Sequence, residues 1–230
     1  MIKHGDIISY LEMCKEEGVN LQRGMNFRLH GKFSVILMSL RLGAPYADRI
    51  EENGRVLIYE GHDIPKRKDN PAPKTVDQPM INPTGTLTQN GLFHQAAMKY
   101  KGNRSQPEFV RVYEKIRSGI WVYNGLFKLV DAWHEMINAR NVFKFKLEMV
   151  GDVGDLIIEQ AEIDHSRLIP AAVKLEVWNR DKGRCIKCGS KDNLHFDHII
   201  PYSKGGSSLV AENIQLLCAR HNLAKRNKIE

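Results

Sequence analysis

Apolar positions first recur at helical spacing. Ile7, Ile8, Leu11 and Cys14 share a face and Gly18 closes the run, which predicts an amphipathic helix. The pattern then turns to strands. Residues 33–42 form a continuous apolar run of buried-strand character, and 55–59 and 109–113 are shorter runs of the same kind. Residues 121–130 carry a predicted turn at Asn124-Gly125. Phe143, Phe145, Leu147 and Met149 alternate with Lys144, Lys146 and Glu148, the period of a half-buried strand. These elements predict an α+β domain of mainly antiparallel sheet over residues 1–150. A linker over 151–172 and a second unit over 173–230 follow. Two polar stretches interrupt the sheet pattern: 61–74, with Lys66-Arg67-Lys68 and three prolines, and 79–90, rich in Thr, Asn and Gly. Loops of that length in a compact domain are usually functional or disordered.

The last fifty residues carry the chemistry. Cys185 and Cys188 form one short-range pair, and Cys218 and His221 another, so three thiolates and one imidazole are available for a tetrahedral zinc ion. A lone C-x-x-C also serves redox chemistry, but the second pair argues for metal. The fourth cysteine, Cys14, falls within the helical pattern and reads as a small buried hydrophobe. A purely structural zinc module would give Asp197-His198 no task. A carboxylate followed directly by an imidazole supplies a hard oxygen ligand and a proton acceptor, a combination suited to magnesium-assisted attack of water on a phosphodiester.

The ordered run RDKGRCIKCG, HFDHIIPYSKGG and AENIQLLCARHNLAKRNK resembles an HNH endonuclease module of the ββα-metal type. The resemblance implies that His198 is the general base and Asp197 a ligand of the catalytic Mg²⁺ or Mn²⁺. It implies that Asn213 is the middle residue, which holds the loop carrying the base. Family members end in either histidine or asparagine at the start of the final helix. His221 is needed as the fourth zinc ligand, which leaves Asn222 for the catalytic metal. His195, on the same short strand, is read as a partly exposed neighbour.

Charge sharpens the picture. The chain of 230 residues has a net charge of +7, which favours a polyanionic partner. From residue 173 onward eleven Lys and Arg face six Asp and Glu, so most of the surplus lies in the nuclease-like unit, where phosphate contact requires it. No stretch has the length of a signal peptide's apolar core or of a membrane span, and a reducing, cytoplasmic setting is expected.

Residues 19–150 contain, in order, FSVILMSL, Pro45-Tyr46-Ala-Asp48, Val56-Leu-Ile-Tyr59-Glu-Gly61, VDQP, FVRVY, Tyr123-Asn124-Gly125 and VFKFKLEMV. This series resembles the SRA (YDG) domain, a PUA-like, twisted, partly closed antiparallel sheet with helices. The family turns a modified cytosine out of double-stranded DNA and stacks it between aromatic side chains. The resemblance implies a pocket in which Tyr46 and Tyr59 stack the base and Asp48 reads its edge. The sequence departs from the family pattern at three places. Asn124 replaces the acidic residue of Tyr-Asp-Gly, Arg49 thins an acidic pair, and Glu60 stands where a small hydroxyl residue is common.

Together the two resemblances imply a modification-dependent restriction endonuclease acting on duplex DNA with 5-methylcytosine or 5-hydroxymethylcytosine. One HNH site cuts one strand, so a double-strand break calls for a homodimer or two binding events. The rivals are an HNH nickase indifferent to modification and a non-catalytic reader with a structural zinc module.

Overall fold

A computed structural model describes residues 2, 4–21, 23–41, 43–52, 55–66, 72–150 and 169–229. Of the linker expected over 151–172, residues 151–168 lie outside these residues, as does the Arg67-Lys68 pair, and the linker's last two residues open a helix instead.

The N-terminal apolar run divides. Ile7–Ser9 is a strand (β1), and the helix α1 spans Tyr10–Glu17. Ser9 is the reason: its Oγ accepts from Glu12 N while its own N–H donates to Glu12 Oε2 at 2.9 Å, a reciprocal cap that starts the helix there. Upstream of that cap, Ile7 and Ile8 pair with Val122 and Trp121.

The other strands of the large sheet are β2 (Met25–Leu29), β3 (Phe33–Met38), β4 (Arg49–Glu51), β5 (Val56–Glu60), β6 (Glu108–Arg117), β7 (Ile120–Ile137) and β8 (Arg140–Met149). They form one sheet in the order β2-β3-β6-β7-β8-β5-β4, antiparallel except for β3 beside β6. The 18-residue β7 serves two neighbours on one edge: β1 along 120–122 and β8 along 127–137. Helix α2 (Gln89–Lys101), which begins where a loop was expected to end, buries Phe93 and Ala97 against Phe127, Phe143, Phe145 and Leu147.

Asn124-Gly125 is a bulge and no turn. Tyr113 pairs with Tyr123 and Val112 with Gly125, so Asn124 is the extra residue of β7. Gly125 has φ +102°, a conformation that bulges and turns both assign to glycine.

Beyond residue 168 come α3 (Ala171–Arg180), β9 (Leu194–His198), β10 (Ile214–Cys218) and α4 (Ala219–Lys225). β9 and β10 pair antiparallel and α4 follows directly, a ββα unit. Its core is continuous with the sheet: Ile116 and Val122 pack with Val173 and Val177 of α3 and with Phe196, Ile214 and Leu216. No helix among the described residues is long and apolar enough to cross a membrane.

Candidate functional site

Cys185 and Cys188 occupy a tight turn closed by Gly189 N donating to Cys185 O at 2.8 Å, while Cys218 ends β10 and His221 lies in the first turn of α4. The hairpin thus brings two distant pairs together, and their four ligand atoms lie within 4.8 Å of one another. His221 Nδ1 is 3.3 Å from the sulfurs of both Cys185 and Cys218, and the Cys188 and Cys218 sulfurs are 3.8 Å apart. A tetrahedral zinc ion spaces such ligands by about 3.5–3.8 Å, so the donor set and its dimensions fit zinc. Burial pushes the Cys185 thiol up, but backbone N–H groups near Cys218, Lys187 and Cys188 and the His221 ring outweigh it and bring the group down to about 6. A thiolate is therefore accessible at neutral pH.

Asp197 and His198 are the last residues of β9, and strand geometry sends their side chains to opposite faces. Asp197 Oδ2 faces two donors, Lys225 Nζ at 3.0 Å and Gln215 Nε2 at 3.1 Å. Both donors sit on one oxygen. Lys225 is 2% exposed and also donates to the His198 carbonyl at 2.6 Å, so one ammonium locks α4 to the end of β9. Asn222 is three residues before Lys225 on that helix and half-exposed.

His198 Nε2 is 2.8 Å from the hydroxyl of buried Ser208. Asn213 ends a 3-10 turn (Ala211–Asn213) and ties down the loop between them. Its Oδ1 accepts from Ile200 N at 2.9 Å, its Nδ2 donates to the carbonyls of Ile200 and Ser207, and its own carbonyl accepts from Ile199 N. Gly206 permits this closure: a Cβ there would lie 1.8 Å from Ile200 O. His195 does something else. Its Nδ1 pairs with Asp6 Oδ1 at 2.8 Å, a bridge between β9 and the N-terminal segment.

On the sheet domain, Tyr46, Asp48 and Tyr59 line one cavity of about 720 Å³, together with His62, Arg23 and Arg41. Tyr59 is 1% exposed. Asp48 accepts from Glu60 N at 3.0 Å and Ser39 N at 3.2 Å, one bond on each oxygen, and withdrawal from water pushes its carboxyl up to about 7. Tyr46 stacks on the His62 ring, with centroids 5.4 Å apart and planes 21° apart, and Lys74 caps the tyrosine ring at 4.7 Å. Behind the cavity, buried Glu60 meets Lys144 at 2.9 Å and Arg140 at 3.6 Å, and Arg140 reaches Asp63 at 2.6 Å. Glu60 is thus held by two cations beneath the loop, and it accepts from Ala47 N beside Tyr46.

Sequence reasoning missed Lys225, Ser208 and His62. Lys225 carries a signal, its i+3 spacing from Asn222. Ser208 sits in a Gly-Gly-Ser-Ser loop with none.

Residues 185–228 match the family model described as HNH endonuclease. The C-terminal unit is therefore an HNH endonuclease domain, and the chain a metal-dependent DNA endonuclease. No curated protein matches the chain. Similar solved structures include the SUVH5 SRA domain in complex with hemimethylated CG DNA, at 25% identity and a TM-score of 0.46, covering 66% of this chain and 90% of that one. The modification-dependent TagI restriction endonuclease is similar at 20% identity and a TM-score of 0.43, covering 98% of this chain and 78% of its own. Arabidopsis thaliana SUVH6 in complex with SAM gives 21% identity and a TM-score of 0.44, covering 86% of this chain and 32% of that one.

Proposed function

We propose that the chain cuts DNA in response to cytosine modification. The sheet domain takes up a 5-methylated or 5-hydroxymethylated cytosine turned out of the duplex, and the HNH unit hydrolyses a phosphodiester nearby. The observation that carries this reading is the cavity that gathers Tyr46, Asp48 and Tyr59 in a chain that also carries an HNH domain. The SRA-like sequence phrases of residues 19–150 support it. An enclosed pocket senses a C5 substituent far better than a stacked duplex does, and aromatic stacking contributes about 1–3 kcal/mol per base.

In the nuclease unit His198 accepts the proton of the attacking water, with its ring oriented by Ser208. Asn213 keeps the loop between them closed, and Lys225 fixes the Asp197 carboxylate by charge and the β9 terminus by its bond to the His198 carbonyl. Asp197 and Asn222 would hold Mg²⁺ or Mn²⁺, which supplies charge stabilisation near the leaving oxygen. Cys185, Cys188, Cys218 and His221 would hold structural zinc, and thiolate ligands suit a reducing, cytoplasmic setting. With one HNH site per chain, a double-strand break requires a homodimer or two successive binding events.

A second reading, an HNH nickase indifferent to modification, draws support from Asp48, whose oxygens already serve two backbone N–H groups, and from the full burial of Tyr59. Digesting one plasmid prepared with cytosine, 5-methylcytosine, 5-hydroxymethylcytosine or glucosylated cytosine separates the two. The proposal expects magnesium- or manganese-dependent cleavage of modified DNA only. Equal cleavage of the unmodified plasmid selects the nickase, and no cleavage with either metal selects a non-catalytic reader. His198→Ala is expected to keep zinc and DNA binding while cleaving roughly 10²–10⁴-fold more slowly.

A further inference from the structure

His62 has no assigned task, yet every contact it makes fixes it at the cavity. Its backbone is clamped from both sides by Asn90 of α2: the His62 N–H donates to Asn90 Oδ1 at 2.8 Å, and Asn90 Nδ2 donates to the His62 carbonyl at 2.8 Å. Its ring lies against Tyr46, and its Nε2 is 3.0 Å from the Tyr59 hydroxyl. Gly24 makes room for that pair, because a Cβ at 24 would lie 2.7 Å from both Nε2 and the tyrosine oxygen.

The Tyr59 hydroxyl lies 3.0 Å from His62 Nε2 and 3.5 Å from the Leu37 carbonyl. When it donates to the ring, Nε2 is the acceptor and the ring proton resides on Nδ1, and that is the tautomer used below. Burial holds the imidazole down to about 4, so the ring is neutral at physiological pH and carries that one donor. Asp48, on the same cavity, has the complementary character: each oxygen uses one lone pair on a backbone N–H and keeps another.

An N–H donor and a carboxylate acceptor on one pocket match the Watson–Crick edge of cytosine, where an acceptor, N3, adjoins the N4 amine. They mismatch thymine, which has the same 5-methyl group but an N3–H and a carbonyl in those places. Resting on the base-pocket reading above, we propose that His62 is a specificity-determining residue: its Nδ1–H donates to N3 of the flipped base, and with Asp48 it selects modified cytosine over thymine.

The test is binding by the full chain, without added magnesium or manganese, to three matched duplexes. They carry at one position 5-methylcytosine opposite guanine, cytosine opposite guanine, or thymine opposite guanine. The thymine mismatch keeps the methyl group and flips readily, so it isolates the edge. The parent protein is expected to prefer 5-methylcytosine to thymine, and His62→Gln, which can still accept from Tyr59 but lacks a donor at the Nδ1 position, to lose about tenfold to a hundredfold of that preference. His62→Asn retains an N–H near Nδ1 and is expected to keep more of the preference than His62→Gln. Zinc content and thermal unfolding of both variants establish that they are folded. A folded His62→Gln that still prefers 5-methylcytosine to thymine as the parent does overturns the role of His62 and leaves the pocket reading standing. A parent with no preference for 5-methylcytosine over cytosine overturns both.

Discussion

At the scale of single residues, the cavity sets two titrations against each other. Asp48 is raised to about 7 by its removal from water, against an ordinary value near 4. The folded chain therefore binds a proton at Asp48 more readily than the unfolded chain does. Its contribution to stability is complete below about pH 4 and lost as pH rises through 7. His62 is lowered to about 4 by burial, so the folded chain binds that proton less readily; its contribution is complete above about pH 6.5 and lost as pH falls through 4. Denaturant unfolding of Asp48→Asn and His62→Gln across pH 4.5–8, each compared with the parent, is expected to give difference curves of opposite slope. Asp48→Asn gains on the parent as pH rises, and His62→Gln falls behind it, each by on the order of 1–3 kcal/mol across its window. Parallel difference curves would mean that at least one of these groups stays hydrated in the folded protein.

At the scale of elements, what the sequence made legible is what local rules decide. The alternation of residues 143–149 is β8, because period-two patterning and burial coincide there. Yet Lys144 is 1% exposed on what reads as the polar face, since Glu60 of β5, 84 residues away, neutralises it. No local rule reports such a partner. In sequence an Asn-Gly bulge and an Asn-Gly turn look alike, because both favour a glycine of positive φ, and only the pairing partner β6 tells them apart. Helix α2 went unseen because its sequence, QNGLFHQAAMKYK, has a weak apolar stripe and a glycine in its first turn; Thr88 caps it and the sheet face does the rest. The metal unit was the most legible part, since ligand spacing is itself local. Helix α4 has seven residues, too few to hold a helix in water unaided, so His221 keeps its place only if something clamps the first turn to β10. Cys218→Ser is therefore expected to lose stoichiometric zinc, measured by elemental analysis, and with it the hydrogen-exchange protection of β9 and β10. Full zinc retention with intact protection would sink the ligand assignment.

At the scale of the whole molecule, the two units are joined by more than chain. Lys174 of α3 is 2% exposed and inserts into the bulge of β7, 2.6 Å from Glu114 Oε2 and 2.9 Å from Asn124 Oδ1, while Asn124 Nδ2 donates to the same Glu114 oxygen. Asparagine at 124 fits this triad: its carbonyl accepts from the ammonium and its amide donates to the carboxylate, whereas an aspartate would add a second negative charge beside Glu114. Around the triad, the shared apolar cluster and the Asp6–His195 bridge continue the same contact. The departure from Tyr-Asp-Gly thus acquires a physical cause, a lysine supplied by the helix that leads into the nuclease unit. Lys174→Met removes the cation and strands the Glu114 carboxylate, which is 0% exposed, so the loss is expected to reach about 3–5 kcal/mol. Adding Glu114→Gln removes the stranded charge and is expected to restore most of that loss, because a neutral amide beside Asn124 and an apolar thioether chain costs far less to bury. If the contact joins the units as one cooperative body, zinc release and loss of near-ultraviolet signal from the sheet domain coincide in the parent and separate in Lys174→Met. Coincident transitions in the single variant, at unchanged stability, would mean that the triad merely fills space at an interface held by the apolar cluster alone.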